Sequence, residues 1–257
     1  MRYIERIAKE NQEERKNAII SILEELNIEY ALKKTKCGSH SPENIIVSYN
    51  PSNTRLVIGA HWDSVEGSTG ANDNASGCSV LLHLADKLRK TKHSIDFVFF
   101  DREEYEDHGS QTYIELTGCE NISAMINLDI CGGGDRIAIS EKGNKDNPLF
   151  YNVMKESVLE KHNVALLSFL PNGDDDRFTE VNIPNISICA IKENDLSFFE
   201  YLSNKIIDGK ELTTDDQERF MKLEVVSTMH LGENNNIGAV SQNAIDILVD
   251  YLLDGLL

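Results

Sequence analysis

The chain has 257 residues, 43 of them acidic and 25 basic, and a formal charge of −18; 40% of its residues are hydrophobic. That is enough apolar material for a sizeable core, while the charge repels phosphate polymers, so no nucleic-acid partner is expected. The cysteines at 37, 78, 119, 131 and 189 show no CxxC spacing, and no run reaches the ~18 apolar residues of a membrane span. The sequence therefore reads as a reduced, cytoplasmic protein with no membrane partner and gives no indication of oligomeric state.

Ile4, Ile7, Ala8, Ala18, Ile19, Ile22, Leu23 and Leu26 keep helical spacing and predict an N-terminal helix broken near Asn11. "NIIVSY" (44–49) and "RLVIGAH" (55–61) are β-rich runs around "NPSNT", which predicts an early hairpin. Helical spacing returns over 76–90. "SIDFVFFD" (94–101) predicts a buried strand, 109–117 a short helix, "SAMINLDI" (123–130) another apolar run and "RIAIS" (136–140) a further strand. A helix is expected over 148–162, strands at "ALLSFL" (165–170) and "NISICAI" (185–191), and a closing amphipathic helix over 243–257. The charged, helix-forming stretch 192–228 reads as an excursion over one edge of the sheet. Alternating strands and helices without a linker predict one domain, 1–257, of α/β class: three layers, α/β/α, around a mixed, mostly parallel sheet.

Ligands of open α/β sheets bind beyond the carboxyl ends of the strands. His61 and Asp63 close one predicted strand, Glu103 and Glu104 follow another, Asp129 ends a third, and His230 ends "STMH". Asp73 stands in "GANDNASG", just ahead of a helix. Imidazole and carboxylate donors together suit zinc or a similar divalent ion, and a carboxylate can bridge two ions. Paired ions of this kind serve phosphatases and aminopeptidases alike, so the residues point to a metallohydrolase without choosing its substrate.

"GAHWDS", "GANDNASG", "FVFFDREE", "MINLDICG" and the late "MH" together resemble the M28 family of zinc peptidases, the aminopeptidase Y and bacterial leucyl aminopeptidase type. The order matches, as do the intervals from His61 through Asp129. The resemblance implies a zinc-exopeptidase-like fold and two zinc ions, with other divalent metals able to use the same ligands. Asp73 would bridge both ions, His61 and Asp129 would complete one, and Glu104 and His230 the other. Glu103 would be the general base and Asp63 would orient the His61 ring. The implied substrates are peptides with a free N-terminus, shortened one residue at a time.

The chain departs from the family pattern at several points. Glu106 and Asp107 stand where Gly and Leu are usual, Asp175 follows Asp174 in place of a His, and Leu231 and Asn234 follow His230. The 192–228 excursion is longer than the family's and is expected to be lid-like. Two other readings share the fold: a glutaminyl-cyclase-like acyltransferase with one zinc, and a non-catalytic binding relative.

Overall fold

The first apolar stretch forms two helices, α1 (Arg2–Ile7) and α2 (Gln12–Glu25), because the Asn11 side chain accepts the Glu14 N–H and starts the second as an N-cap. This is the break expected near Asn11. The computed structural model describes residues 1–52, 54–105, 108–140, 150–168, 170–171 and 173–257, without the side chains of Arg2 and His108. After α2 come β1 (Ala31–Lys34), β2 (Glu43–Tyr49), β3 (Arg55–His61), α3 (Gly77–Lys87), β4 (Ile95–Phe100), α4 (His108–Thr117), β5 (Ile122–Leu128) and β6 (Arg136–Ser140). Then follow α5 (Glu156–Lys161), β7 (Ala165–Leu167), α6 (Asp175–Glu180), β8 (Asn185–Ile191), α7 (Glu193–Ile207), α8 (Thr214–Phe220), α9 (Glu224–Ser227) and α10 (Gln242–Leu256).

The eight strands form one mixed sheet in the order β1-β2-β4-β3-β5-β8-β6-β7. Its centre, β4-β3-β5-β8, is parallel throughout; toward the edges β1–β2, β2–β4 and β8–β6 pair antiparallel and β6–β7 parallel. The central strands read as nearly continuous buried runs, as strands covered on both faces must. Alternate residues feed two layers. Ala124, Ile126, Leu128, Ile186, Ile188 and Ala190 join the large core with α1, α2, α3 and α10, while Val57, Val98, Phe100 and Met125 face α4 and α6. Cys189, Ile191 and Ala138 point to that second face too, where Leu196, Phe198, Phe199 and Leu202 of α7 cover them. The excursion thus roofs the β8–β6–β7 end of the sheet, and the expected α/β/α layering with a mixed, mostly parallel sheet is observed.

The hairpin expected between 44–49 and 55–61 does not form. β2 pairs with β1 and β4, and β4 separates it from β3. The β3-α3-β4 crossover lays β4 against β3 and occupies that edge. The sequence carries a hint of this: Ile45 and Val47 pack on one face of β2 and Ile46 on the other, the pattern of an interior strand. β1 and α6 were not anticipated. The helix expected over 148–162 is regular only from Glu156, and residues 141–149 lie outside the described residues. The strand expected over 165–170 ends at Leu167, with Phe169 outside the described residues.

Candidate metal centre

Because β3, β4, β5 and β8 run parallel, their carboxyl ends share one rim. The chain passes from β3 to β4 on one side and to β5 on the other, so the crevice beyond β3 is a topological switch point. His61 ends β3, Asp129 follows β5, and Glu103 and Glu104 lie in the turn after β4. Asp73 enters from a distorted wide turn over Ala71–Ser76, in which Asp73 and Asn74 leave helical backbone geometry and are joined by a cis peptide bond. Gly70 makes the entry possible. Its φ is 54°, and a Cβ there would lie 2.7 Å from Arg15 Nη1, Asp73 O and Ser64 Cβ.

The polar residues of "GANDNASG" are buried but not idle. Asn72 donates to Thr228 Oγ1 (2.8 Å) and accepts the Gly132 N–H (2.7 Å). Asn74 donates to the Leu128 carbonyl (2.8 Å) and accepts the Gly77 N–H (2.9 Å), while Ser76 Oγ accepts the Cys131 N–H (2.8 Å). An octet that looks like a surface turn is fastened to β5, to the loop following it and to the His230 segment. That fixes the direction in which Asp73 points.

His61, Asp73 and Asp129 each present one donor atom within 4.8 Å of the others, and so do Asp73, Glu104 and His230. Asp73 belongs to both groups. His61 Nε2 lies 3.3 Å from Asp73 Oδ1 and 3.5 Å from Asp129 Oδ1, and His230 Nε2 lies 3.5 Å from Glu104 Oε2. Glu103 Oε2 is 3.9 Å from His61 Nε2, between the groups rather than outside them, and His61, Glu103 and Glu104 make a third such triad. Asp63 Oδ1 lies 3.5 Å from His61 Nδ1. The same carboxylate accepts the N–H of Glu103 (3.1 Å) and of Glu104 (3.3 Å). Those two glutamates sit in a turn anchored by Asp63, and both carboxylates converge on His61.

Both ring nitrogens of His61, Glu104 Oε1 and Asp129 Oδ1 are buried without a hydrogen-bond partner among the described residues. Buried polar atoms are almost always satisfied; His61 Nδ1 faces Asp63, and the other three, His61 Nε2, Glu104 Oε1 and Asp129 Oδ1, converge on one crevice and fit a cation site. Electrostatics agree. Burial pushes Glu104 up to about 8, helped by Asp73, Asp63 and Asp129, and lifts Glu103 well above the usual carboxylate range, helped by Asp129, Asp174 and Asp63. Burial opposes charge on His61, but the carboxylates of Glu103, Asp129, Asp63 and Asp73 outweigh it and raise the ring. Burial also opposes ionisation of Asp73, yet its contacts with His61 and His230 hold it below its usual value.

Two positioning features escaped the sequence reading. Asn235 accepts the N–H groups of Asn72 (3.0 Å) and Asp73 (3.3 Å) on Oδ1, and donates to the His230 carbonyl (2.9 Å) and Ser68 Oγ (3.1 Å). It ties both ends of the second triad together, and the His230 N–H also donates to Asp73 Oδ2 (2.8 Å). The other is Arg15, fully buried beneath the site. Neither belongs to a local pattern. Of the departures noted in sequence, Asp174 and Asp175 are buried, Leu231 is exposed, and Glu106 and Asp107 lie outside the described residues.

A cavity opens from the centre. Asp73, Glu103, Asp129 and His230 form one wall, and Ile130, Leu170, Ile191, Phe199, Val225 and Met229 line the rest. Phe199 and Val225 come from the excursion.

A mixed sheet with a histidine and carboxylate cluster at the carboxyl rim places a candidate metal site where ligands of open α/β sheets bind. The sequence profile of peptidase family M28 matches residues 44–230, and the chain belongs to that family. Among its relatives, aminopeptidase YwaD of Bacillus subtilis is 34% identical over 113 residues, 40% of this chain and 25% of that protein. The chain spans a quarter or less of the length of such curated relatives. Its fold is shared with BSAP, a zinc aminopeptidase from Bacillus subtilis (TM-score 0.60, 21% identity, 84% of this chain and 49% of that one). It is shared as well with the glutaminyl cyclase of Porphyromonas gingivalis (TM-score 0.71, 20% identity, 99% of this chain and 95% of that one). No helix among the described residues is long and apolar enough to cross a membrane.

Proposed function

We propose that the chain is a metallo-aminopeptidase that removes apolar N-terminal residues from peptides. The observation that supports this reading is the pair of donor triads sharing Asp73. In it, His61, Asp73 and Asp129 hold one divalent cation and Asp73, Glu104 and His230 a second, with zinc the family's metal. When bound, such ions make a water acidic enough to attack near neutrality and polarise the scissile carbonyl. Glu103, held at its backbone by Asp63, takes the proton of the attacking water and delivers it to the leaving amine, so that one C–N bond is exchanged for one C–O bond. The acidic wall favours a cationic α-amine. The apolar cavity beside it favours an aliphatic or aromatic side chain, with the 192–228 excursion as its outer wall and lid. The five cysteines are free, which suits the reducing compartment expected from sequence.

A second reading is supported by the near-complete overlap with a glutaminyl cyclase, whose length this chain matches better than that of BSAP. A panel of aminoacyl amides and N-terminal glutaminyl peptides separates the two. The expected result is release of free leucine, methionine or phenylalanine, with leucine favoured over aspartate by about 10-fold or more, the scale set by a well-formed apolar pocket. A pyroglutamyl product without release of an N-terminal residue would replace the peptidase reading with the cyclase one.

A further inference from the structure

α1 and α2 lie outside the residues shared with the family, yet one side chain of α2 ends directly beneath the proposed centre. Arg15 is fully buried. Its Nε donates to the Trp62 carbonyl (2.7 Å), Nη1 to the carbonyls of Thr69 (2.6 Å) and Gly70 (3.3 Å), and Nη2 to that of Asp63 (3.2 Å). These carbonyls sit at the two ends of the segment that leaves His61 and arrives at Asp73. One turn earlier on the same helix, Gln12 Nε2 donates to Ser64 O (2.6 Å) and Ser64 Oγ (3.2 Å), inside that segment.

Nothing in this arrangement is a conventional ion pair. Among the described residues no carboxylate lies within 4.0 Å of the Arg15 guanidinium. A guanidinium without a carboxylate partner is expensive to bury and is kept only where its fork is filled and a negative field surrounds it. Four carbonyls fill the fork. Burial works against the charge, and Cys78, Asp63, Asp73 and Glu104 work for it. Of these, Asp63, Asp73 and Glu104 belong to the proposed centre and Cys78 does not.

We propose that Arg15 is a positioning residue of the metal centre: its guanidinium clamps both ends of the 62–70 segment, so that His61 and Asp73 converge, and sets a fixed positive charge under the carboxylates. This rests on the ligand roles given above. Lysine can supply the charge but not the planar four-bond fork, and glutamine supplies neither.

The test compares the full-length protein with Arg15→Gln, Arg15→Lys and Ile19→Ala. Ile19 is fully buried on the same helix and contacts no ligand segment through hydrogen bonds, so its variant reports destabilisation alone. Zinc affinity is read by chelator competition, and hydrogen exchange is followed at the amides of 62–73. R15Q is expected to weaken zinc about 10–100-fold, the usual scale for outer residues that orient ligands, and to speed exchange across 62–70. R15K is expected to fall between R15Q and the parent, and Ile19→Ala to keep parental zinc affinity despite its lower melting temperature. R15Q binding zinc as tightly as Ile19→Ala overturns the proposal. Should R15Q not fold, parental zinc affinity and exchange in R15K overturn it instead. A parent protein that takes up no zinc overturns the centre itself, and the role of Arg15 with it; zinc uptake unaffected by Arg15 substitutions overturns only the latter.

Discussion

Glu103→Gln is expected to keep its divalent ions and lose turnover by about 10²–10⁴-fold, the range contributed by a well-placed general base. The substitution preserves shape and leaves the backbone N–H of residue 103 on Asp63 Oδ1. What it removes is the proton acceptor. Burial and the neighbouring carboxylates of Asp129, Asp174 and Asp63 lift Glu103 above an ordinary glutamate, which raises its proton affinity at the point where a water would be deprotonated. Metal content and kcat measured on one preparation check the claim. Parental kcat would remove Glu103 from the chemistry, and loss of metal would move it among the ligands, where its 3.9 Å approach to His61 Nε2 also allows it to reach.

The second large effect falls on binding. Asp73→Asn is expected to empty both cation positions, because Asp73 is the member common to the two triads. An amide offers one oxygen and no charge; with that oxygen on the His230 N–H that now donates to Asp73 Oδ2 at 2.8 Å, its NH₂ faces the cation positions and cannot ligate. Zinc retained after dialysis, measured by mass spectrometry, reads the outcome. Full retention would dismiss the shared role of Asp73, whereas loss of one ion alone would confine the residue to a single position.

Much of the candidate site could be read from sequence because its proposed residues sit where strands stop. His61, Glu103, Glu104 and Asp129 each follow a buried apolar run, and parallel strands deliver their ends to one rim. Asp73 was legible for another reason. A polar octet that surrounds one carboxylate with two Asn and ends at a helix has few uses, and here both Asn side chains fasten it to the fold. What sequence did not carry was pairing at a distance. Arg15 reaches carbonyls 47 to 55 positions away, and Asn235 reaches Asn72 and Asp73 across 163 and 162 positions. An Arg in a charged helix and an Asn among three in a row look like solvated residues until the fold encloses them. The misplaced hairpin has the same origin. β2 and β3 are neighbours in sequence with a turn between them, and only the crossover through α3 brings β4 into the gap.

The central claim is that His61, Asp73, Glu104, Asp129 and His230 hold two cations with Asp73 between them. Diffraction from a zinc-soaked crystal, with anomalous differences collected at the zinc edge, tests it most directly. The account predicts two peaks about 3.5–4 Å apart, one on either side of the Asp73 carboxylate. A lone peak, or zinc bound away from these five side chains, would contradict it.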